Sequence, residues 1–527
     1  MKIKTITYLF ILPILLTTLL LSNSINTCKA QKNIQNELPV LTNSSEFISI
    51  PIGLKGLLIL EKVNKRDYVV HKYDKDLVSE WAEMGNIDKD AEYVNYSYDG
   101  KKVYLLFSTY FTNSYQIIRI GIEDGQLDKF QLFSIEKMEI SGFKALNNAA
   151  FITGKMKNKD VILYASLINK KIKILPSALK NTAELQSIDL DTNHHTVSIT
   201  HFVGNKVKEY QINIKTFNDA GELLTEINDQ TDDEFGLMNG KIKYINDLDK
   251  IAIGTYGYKK YINDERKTSS QGVYFSKVDN HDNLETNYIS FSELNNFYDY
   301  LEPKQKESAD KKIAKQKKSG SDIKHNKLLF THDIIYQDSL FILVAEIFEP
   351  EYSTNNNFGN IPSLFSSSRR WGFSPYGNYN PYSRYYFPNT QSSNNRNFEG
   401  YNYEFAIVVA FDKTGKIVWN ESMPFYDVKE KLLTEKLKVG LQDQILTMAY
   451  TNDGNFYSKT VDLKNNVRQE TKTPYDTQFE GDKVKSVENE ALNNWYGNQF
   501  IYTGNQKIAN KIVNEKRNVY SLKKIKF

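Results

Sequence analysis

The chain has 527 residues, of which 40% are hydrophobic and 25% are charged, with one cysteine and a formal net charge of +3. A single cysteine excludes an intrachain disulfide framework, so stability must come from packed area. The surplus positive charge belongs to Lys2, Lys4 and Lys29, in a leader without acidic residues. The rest of the chain is near neutral, which argues against nucleic acid as a partner.

The first thirty residues have the pattern of a secretory signal peptide. Lys2 and Lys4 precede an apolar stretch from Tyr8 to Leu21, and a polar region ending at Ala30 follows. The apolar stretch, roughly 14 residues, is shorter than the ~20 that a membrane-spanning helix needs. We therefore predict a signal peptide over 1–30 and an exported protein without a transmembrane span, located in the periplasm, at the outer membrane or outside the cell.

Cys28 lies where two processing routes diverge. Cleavage after Ala30 would remove it, whereas lipoprotein processing would keep it as an acylated first residue. The preceding residues, Ile25 to Thr27, match poorly the small residues of a lipoprotein site. We favour simple cleavage, with a lipid anchor at Cys28 as the alternative.

Beyond the leader, one sequence pattern recurs about every 50 residues. It is a run of β-branched and aromatic residues, a turn of Asp, Asn, Gly or Lys, and a second alternating run, as in YVVHKYDKDLVSEW (68–81) and AIVVAFDKTGKIVWNE (406–421). A further strand-like run precedes the pattern, for example GLLILEKV (56–63). Repeats of this length are typical of propellers, solenoids or arrays, and three or four short strands per unit favour a propeller blade.

We predict an all-β fold, a β-propeller of eight blades over 46–527, after an N-terminal linker over 31–45. Seven blades, or two smaller all-β domains split near residue 302, are the alternatives. The last segment, Val519 to Phe527, has the pattern of a strand. We expect it to close the ring by pairing with an N-terminal strand, which we place at Phe47 to Ile52.

Candidate metal and catalytic residues form only weak patterns. The segment 189–201 contains two aspartates and three histidines: Asp189, Asp191, His194, His195 and His201. Adjacent histidines in an extended chain point in opposite directions, so we interpret this segment as a surface turn and predict no metal site. The segment 228–234 lacks the spacing of a calcium loop. His332 and Asp333 lie among apolar residues, which favours a buried structural pair over a catalytic dyad.

A first insertion, 290–325, is predicted to be helical. Ser290 is a suitable N-cap with Glu293 at the capping-box position. Apolar residues then follow helical spacing and should pack on the propeller: Leu294, Phe297, Tyr298 and Leu301. Between Lys304 and His325 there are eight lysines and three acids. We interpret this run as a solvated face, with a basic handle for an anionic surface as the alternative.

A second insertion, 351–402, is rich in Asn, Ser, Tyr and Arg and has no periodicity, so we predict a long disordered loop. Aromatic residues and arginines dominate binding hot spots. We therefore predict that this loop engages a partner, with a tolerated surface insertion as the alternative. The predicted partner-binding residues are Arg369, Arg370, Trp371, Tyr376, Tyr379, Tyr382, Arg384, Tyr385 and Tyr386.

The segment AFDKTGKIVW (410–419) resembles the tryptophan docking motif of quinoprotein-like eight-bladed β-propellers. In that family the motif is structural, and the resemblance implies that Trp419 packs between blades while Thr414 and Gly415 form a turn. YDKDLVSEW, ending at Trp81, is a degenerate second copy. The resemblance implies a propeller and assigns neither a quinone enzyme nor a cofactor.

No nucleophile elbow, zinc-protease helix, phosphate loop or dinucleotide fingerprint occurs in the sequence. We predict a non-enzymatic scaffold or binding module at the cell envelope, without catalytic residues, metal or cofactor, that engages an envelope protein or surface glycan through blade loops. The alternative is a propeller-type hydrolase of carbohydrate or ester. Acidic or histidine side chains converging in the central channel would favour the hydrolase, and a channel lined by Tyr, Asn and Lys would favour binding.

Overall fold

The computed structural model describes residues 34–40, 46–89, 91–109, 113–157, 159–175, 183–204, 210–228, 234–246, 249–258, 269–278, 284–319, 325, 327–353, 397–431 and 433–527. Its strands form eight antiparallel sheets, and each sheet is one blade of a propeller. The first strand, β1 (Gln35–Pro39), belongs to the last blade. The prediction of an all-β, eight-bladed propeller is confirmed, and residues from Gln35 to Phe527 form one compact unit that is not split near residue 302.

Blades 1 to 4 each have four strands in sequence order, with the first strand innermost. Blade 1 comprises β2 (Glu46–Pro51), β3 (Leu57–Lys62), β4 (Asp67–Tyr73) and β5 (Ser79–Asn86). Blade 2 comprises β6 (Ala91–Tyr98), β7 (Lys102–Thr109), β8 (Ser114–Gly121) and β9 (Leu127–Phe133). Blade 3 comprises β10 (Glu139–Leu146), β11 (Ala149–Met156), β12 (Lys159–Ser166) and β13 (Lys171–Leu175). Blade 4 comprises β14 (Ala183–Asp191), β15 (Thr196–Gly204), β16 (Tyr210–Asn218) and β17 (Leu223–Asn228).

The inner strand is divided in two in blades 5 and 6. Blade 5 comprises β18 (Phe235–Leu237), β19 (Lys241–Tyr244), β20 (Lys250–Tyr258), β21 (Gly272–Val278) and β22 (Leu284–Ser290). Blade 6 comprises β23 (Leu328–Thr331), β24 (Ile335–Gln337), β25 (Leu340–Ser353), β26 (Asn397–Phe411), β27 (Ile417–Pro424) and the short β28 (Lys429–Glu430). Blade 7 comprises β29 (Lys438–Gln442), β30 (Ile445–Asn452), β31 (Asn455–Asp462) and β32 (Val467–Pro474). Blade 8 comprises β33 (Asp482–Tyr496), β34 (Gln499–Asn510), β35 (Glu515–Ile525) and β1.

The ring closes where β1 pairs antiparallel with β35, with Gln35 opposite Lys523 and Pro39 opposite Val519. An N-terminal strand therefore pairs with the C-terminal one, but our choice of Phe47 to Ile52 was wrong, because that segment forms the inner strand of blade 1. The segment 31–45, which we predicted as a linker, contains β1. The sequence of β1, QNELP, lacks apolar alternation, so only its pairing identifies it as a strand.

The core lies between the blades. In blade 2, five consecutive residues of β7 are buried, because neighbouring blades cover both faces of the central strands. At the outer edge the pattern reverses, and every residue of β32 is exposed. Hydrophobic clusters combine residues from adjacent blades, such as Leu58 of blade 1 with Val103 of blade 2. Each blade thus stabilises its neighbours by burying their apolar side chains.

Tryptophans connect several neighbouring blades. Trp419 packs against the hydrophobic cluster shared by blades 6 and 7, as the resemblance implied. Trp81 of blade 1 donates from Nε1 to the carbonyl of Ile122 in blade 2, at 3.2 Å. The turn before Trp419 is held by Asp412, whose Oδ1 accepts the Thr414 amide at 2.8 Å. Gly415 follows with φ of 87°, and a side chain there would lie 2.5 Å from a ring carbon of Phe275.

The predicted helical insertion is only partly helical. Ser290 and Glu293 form the expected capping box, but it begins a 3-10 turn (Phe291–Glu293), and the helix, α1, spans Pro303–Ser319. Leu294 and Phe297 are buried against the propeller as expected. They are not in an α-helix, because the amide and side chain of Asn296 bond to Asn420 of blade 6 instead, each at 2.8 Å. No helix in the described ranges is long and apolar enough to cross a membrane.

Candidate functional site

The nine residues that we predicted for partner binding lie outside the described residues, within 354–396, and so does most of the predicted disordered loop, 351–402. Both ends of the predicted insertion, however, are strands. β25 continues to Ser353 and β26 begins at Asn397, with 14 and 15 residues compared with 8 in β7 and β8. We call the paired ends of these two strands, 348–353 and 397–403, the blade-six arm.

The blade-six arm is braced at its base. β28 adds a third strand, with Lys429 opposite Asn402. The Lys429 ammonium lies 2.7 Å from Glu351 and 3.2 Å from Glu399, so it links both strands of the arm. The buried Tyr403 hydroxyl donates to the Thr434 carbonyl and accepts the Thr434 amide, each at 2.8 Å. These contacts give the segment 354–396 a structured base.

A second group of polar residues comes together at the propeller axis. Lys241 of blade 5 donates a hydrogen bond to Asp333 of blade 6, and its ammonium lies 3.7 Å from Oδ1 of Asp189 in blade 4. The other oxygen of Asp189 accepts the Ser187 hydroxyl at 2.6 Å. In blade 7, Glu435 lies 3.5 Å from the Lys438 ammonium.

Electrostatic interactions extend this group across the ring. Burial, together with the carboxylates of Glu435 and Asp333, raises the pKa of Tyr96 in blade 2 to about 12. Blades 2 and 6 are on opposite sides of an eight-membered ring, so these groups must surround the axis. Together they form what we call the axial charge cluster, with one member from each of six consecutive blades: Tyr96, Lys144, Asp189, Lys241, Asp333 and Glu435.

Neighbouring cations favour the ionised form of two carboxylates of the axial charge cluster, Asp333 and Glu435. The surrounding protein displaces part of the hydration of Asp333, which by itself would raise its pKa, but Lys241, Lys144 and Lys243 outweigh this effect and hold that pKa well below its usual range. Burial likewise opposes ionisation of Glu435, and His332 and Lys438 still lower the pKa of Glu435. A general acid needs a raised pKa, so neither carboxylate is suited to donate a proton near neutral pH.

The side chain of Asp333 is 61% exposed, whereas that of Lys241 is 11% exposed and that of Asp189 is 4% exposed. Solvent therefore reaches one end of this ion-pair network. Acidic side chains converge at the axis, which we expected of a hydrolase. Tyrosine and lysine lie there as well, which we expected of a binding protein. The lowered pKa values of Asp333 and Glu435 argue against a general acid among these two residues.

His332 and Asp333 do not pair with each other. The His332 Nε2 lies 2.8 Å from Oε1 of Glu346, which is fully buried. The same oxygen accepts the amides of Lys436 and Leu437, at 2.7 and 2.8 Å. This buried network fixes the connection that carries Glu435, so His332 has the structural role predicted for it but with a different partner.

A carboxyl group with a raised pKa occurs away from the axial charge cluster. Burial raises the pKa of Glu490, which accepts the Tyr475 hydroxyl at 2.5 Å between blades 7 and 8. The charges that act on Glu490 are those of Lys436, Glu430 and Asp453, none of which is in the cluster. Glu490 and the two acids of the axial charge cluster therefore have different charged neighbours.

The histidine-containing segment 189–201 does not converge on a metal site. His194 binds Asp191 at 3.0 Å and stacks on Tyr244, whereas His195 faces Asn147. His201 is buried in β15, away from the turn. Among the described residues, no group of three or more His, Cys, Asp or Glu is arranged to hold a metal ion. Most of the segment 228–234, which we did not predict to be a calcium loop, lies outside those residues, over 229–233.

The sequence alone did not identify the axial charge cluster. Its members are single residues, spread from Tyr96 to Glu435 with no common motif. What they share is a place on or beside the first strand of a blade, and that becomes visible only once the blades are assigned.

The eight sheets define the chain as an eight-bladed β-propeller. No family model matches it, and no curated protein matches it. Among solved structures, the β-propeller domain of the trilobed protease from Pyrococcus furiosus has a TM-score of 0.33 and 8% identity, covering 82% of this chain and 98% of that one. A structure from a study of two prolyl endopeptidases has a TM-score of 0.39 and 10% identity, covering 89% of this chain and 55% of that one.

The cobalt-substituted apocarotenoid oxygenase of Synechocystis has a TM-score of 0.30 and 7% identity over 47% of this chain. The chain spans 63% of that oxygenase's length. At these values the similarities transfer no activity, substrate or metal to this protein.

Proposed function

We propose that this protein is an exported, non-enzymatic propeller that binds an envelope protein or a surface glycan through the blade-six arm and the segment it carries. Export is inferred from the leader, with its two lysines, apolar stretch and Ala30 cleavage position. The observation that carries the binding role is the brace of the arm. Lys429 bridges Glu351 and Glu399, so the tyrosine- and arginine-rich segment begins and ends on paired strands.

A braced base favours binding for an energetic reason. Holding both ends of a long segment close together removes part of the conformational entropy that it would otherwise lose on association. The segment from 354 to 396 contains tyrosines, a tryptophan and arginines and no acidic residue. Such residues supply large contact area and bidentate hydrogen bonds to an anionic or polar partner.

The first test replaces 355–395 by a short Gly-Ser linker that joins β25 to β26. We expect the variant to keep the melting temperature of the parent within about 3 °C, because the removed residues lie beyond the braced strands. Affinity capture from envelope extracts should lose the partner that the parent retains. A full-length control, in which only the nine predicted residues become Ser or Gln, should lose it as well.

Capture that survives both changes would contradict the role of the arm. The hydrolase alternative is tested by Asp333→Asn and Glu435→Gln, which should leave capture unchanged. If the parent cleaved an envelope glycan or an ester and these variants did not, the protein would be an enzyme and the proposal would be wrong.

A further inference from the structure

Helix α1 has one side turned toward the propeller. Four of its 17 residues are half-buried, and the other described residues of the helix are exposed. The half-buried residues are Lys306, Ala309, Ile313 and Gln316, whose spacing of three and four residues places them on one side of the helix.

Four lysines lie on the opposite side. At about 100° per residue, Lys304, Lys311, Lys315 and Lys318 fall within an arc of roughly 60°, and this arc faces away from the half-buried side. With a rise of about 1.5 Å per residue, they extend along roughly 21 Å of the helix. We call these four residues the lysine row.

The lysine row is weakly neutralised by the protein itself. Lys311 pairs with Glu307 at 2.5 Å. Within the described part of the chain, Lys304, Lys315 and Lys318 make no ion pair. The helix as a whole has seven lysines and two acids. Like charges three or four residues apart destabilise a helix, so the row costs stability unless an anionic partner neutralises it.

The helix is attached firmly to blade 6. Just before it, Tyr300 stacks on Phe405 with ring centroids 3.6 Å apart. Eight residues after its last residue, Lys327 lies 2.5 Å from Glu404. The Lys317 ammonium also donates to the carbonyl of Ser292 at 3.0 Å. These contacts hold the lysine row in one orientation before any partner arrives, which lowers the entropy lost on binding.

The row also lies at the same end of the propeller as the blade-six arm. The second and fourth strands of a blade run in the same direction, so the loop after each leaves at the same end. The arm extends the loop after the second strand of blade 6, and α1 lies in the connection after the fourth strand of blade 5.

We propose that the lysine row binds a linear acidic polysaccharide, one carboxylate group after another along the helix. A linear polyanion fits a single line of cations by charge complementarity. A helix that binds a membrane surface combines its basic residues with an apolar face that enters the headgroup region. The helix has no large apolar side chain that could enter a bilayer, because Ala309 and Ile313 are half-buried toward the propeller and the exposed Ala314 is small. This inference rests on the proposed binding role, but it concerns a surface separate from the arm.

The test uses the full-length mature protein and polygalacturonate as the probe, with neutral dextran as the comparison polymer. The variant changes Lys304, Lys311, Lys315 and Lys318 to Gln. The control changes four exposed lysines of other segments to Gln, with the same loss of charge: Lys101, Lys413, Lys464 and Lys516. Binding is measured by biolayer interferometry at about 50 and 300 mM salt.

We expect the lysine-row variant to bind polygalacturonate about tenfold more weakly and the control variant to bind within about twofold of the parent, because four exposed ion pairs are lost only in the first. Parent binding should weaken at the higher salt. Equal losses in both variants would overturn the proposal, and so would the absence of parent binding. Binding to vesicles with 30% phosphatidylglycerol but not to polygalacturonate would also overturn it.

The outcome is independent of the arm. If the lysine row fails this test, the linker variant of the arm can still lose its captured partner. If the arm fails, polygalacturonate binding by the purified protein is unaffected. The two failures can therefore be told apart.

Discussion

At the scale of single residues, Lys241 is the most consequential member of the axial charge cluster, because it serves two carboxylates. Lys241→Met should lower the free energy of unfolding by about 1–3 kcal/mol, since it leaves the buried Asp189 without its cation. Asp333 should add little to this loss because its side chain is largely hydrated. Urea titration followed by tryptophan fluorescence measures the change.

A second substitution tests this reason. Asp189→Asn in the Lys241→Met background should recover part of the lost stability, because the uncompensated buried charge disappears. Lys413→Met, at an exposed turn, should be neutral. If the double variant loses more unfolding free energy than the two single variants lose together, the ion pair is not the cause.

At the scale of elements, the closing strand β1 depends on Arg517. The guanidinium of Arg517 bonds to Glu37 of β1 at 2.8 Å and to Asp482 of β33. Glu37→Gln removes the charge on β1 but leaves Arg517 and Asp482 paired. We expect amide hydrogen exchange in β1 to become about fivefold faster, which corresponds to the loss of roughly 1 kcal/mol from one partly exposed pair.

Two comparisons make this prediction specific. Glu515→Gln, an exposed change in β35, should leave the exchange of β1 unaltered. Exchange in β7, in the interior of blade 2, should also be unchanged, because only the closure is weakened. Faster exchange throughout all eight blades would mean that the pair supports the whole ring and not the local attachment of β1.

At the scale of the whole molecule, two buried histidines make stability depend on pH. Burial, aided by Lys215, lowers the pKa of His201 to about 3, and burial with Lys327 lowers that of His325 to about 4. An unfolded histidine binds a proton below about pH 6.5, whereas these two stay neutral in the folded state. Stability should therefore fall as the pH drops from 6.5 toward 4, by up to ~1.4 kcal/mol per pH unit for each histidine.

Carboxylates contribute little to the pH dependence of stability in the upper part of this pH range, because unfolded Asp and Glu bind protons mainly below about pH 4.5. The test is urea titration between pH 5 and 7. His201→Gln should reduce the slope of unfolding free energy against pH by about half, whatever it does to stability at pH 7. An unchanged slope would contradict a neutral, buried His201.

The fold could be predicted well from the sequence because the same pattern of strands and turns recurs in each blade. Each blade supplies its own alternating strands and polar turns, so one ambiguous strand did not change the assignment of eight units. Asp412, Thr414 and Gly415 predicted their turn for the same local reason. The prediction was wrong where local patterns compete with distant partners. Leu294 and Phe297 have helical spacing, yet Asn296 bonds to blade 6 and no α-helix forms there.

The candidate sites show the same difference between features that are encoded locally and features that depend on distant partners. The lysines of α1 were predicted from composition, but their division between two sides of the helix required the half-buried residues to be known. The axial charge cluster was not predicted at all, because a charge such as Glu435 acquires its neighbours only when opposite blades meet.

By itself, then, the sequence determined the repeat and the presence of two foreign insertions, because each is encoded over short stretches of chain, and it favoured eight blades over seven, a choice that the eight sheets confirmed. The tertiary structure alone decided that QNELP is the closing strand, that His332 pairs with Glu346, and that six scattered polar residues come close enough to interact electrostatically across the ring. The physical reason is that a propeller joins its ends and its opposite blades through space. Contacts between such distant residues leave no pattern in the order of the chain.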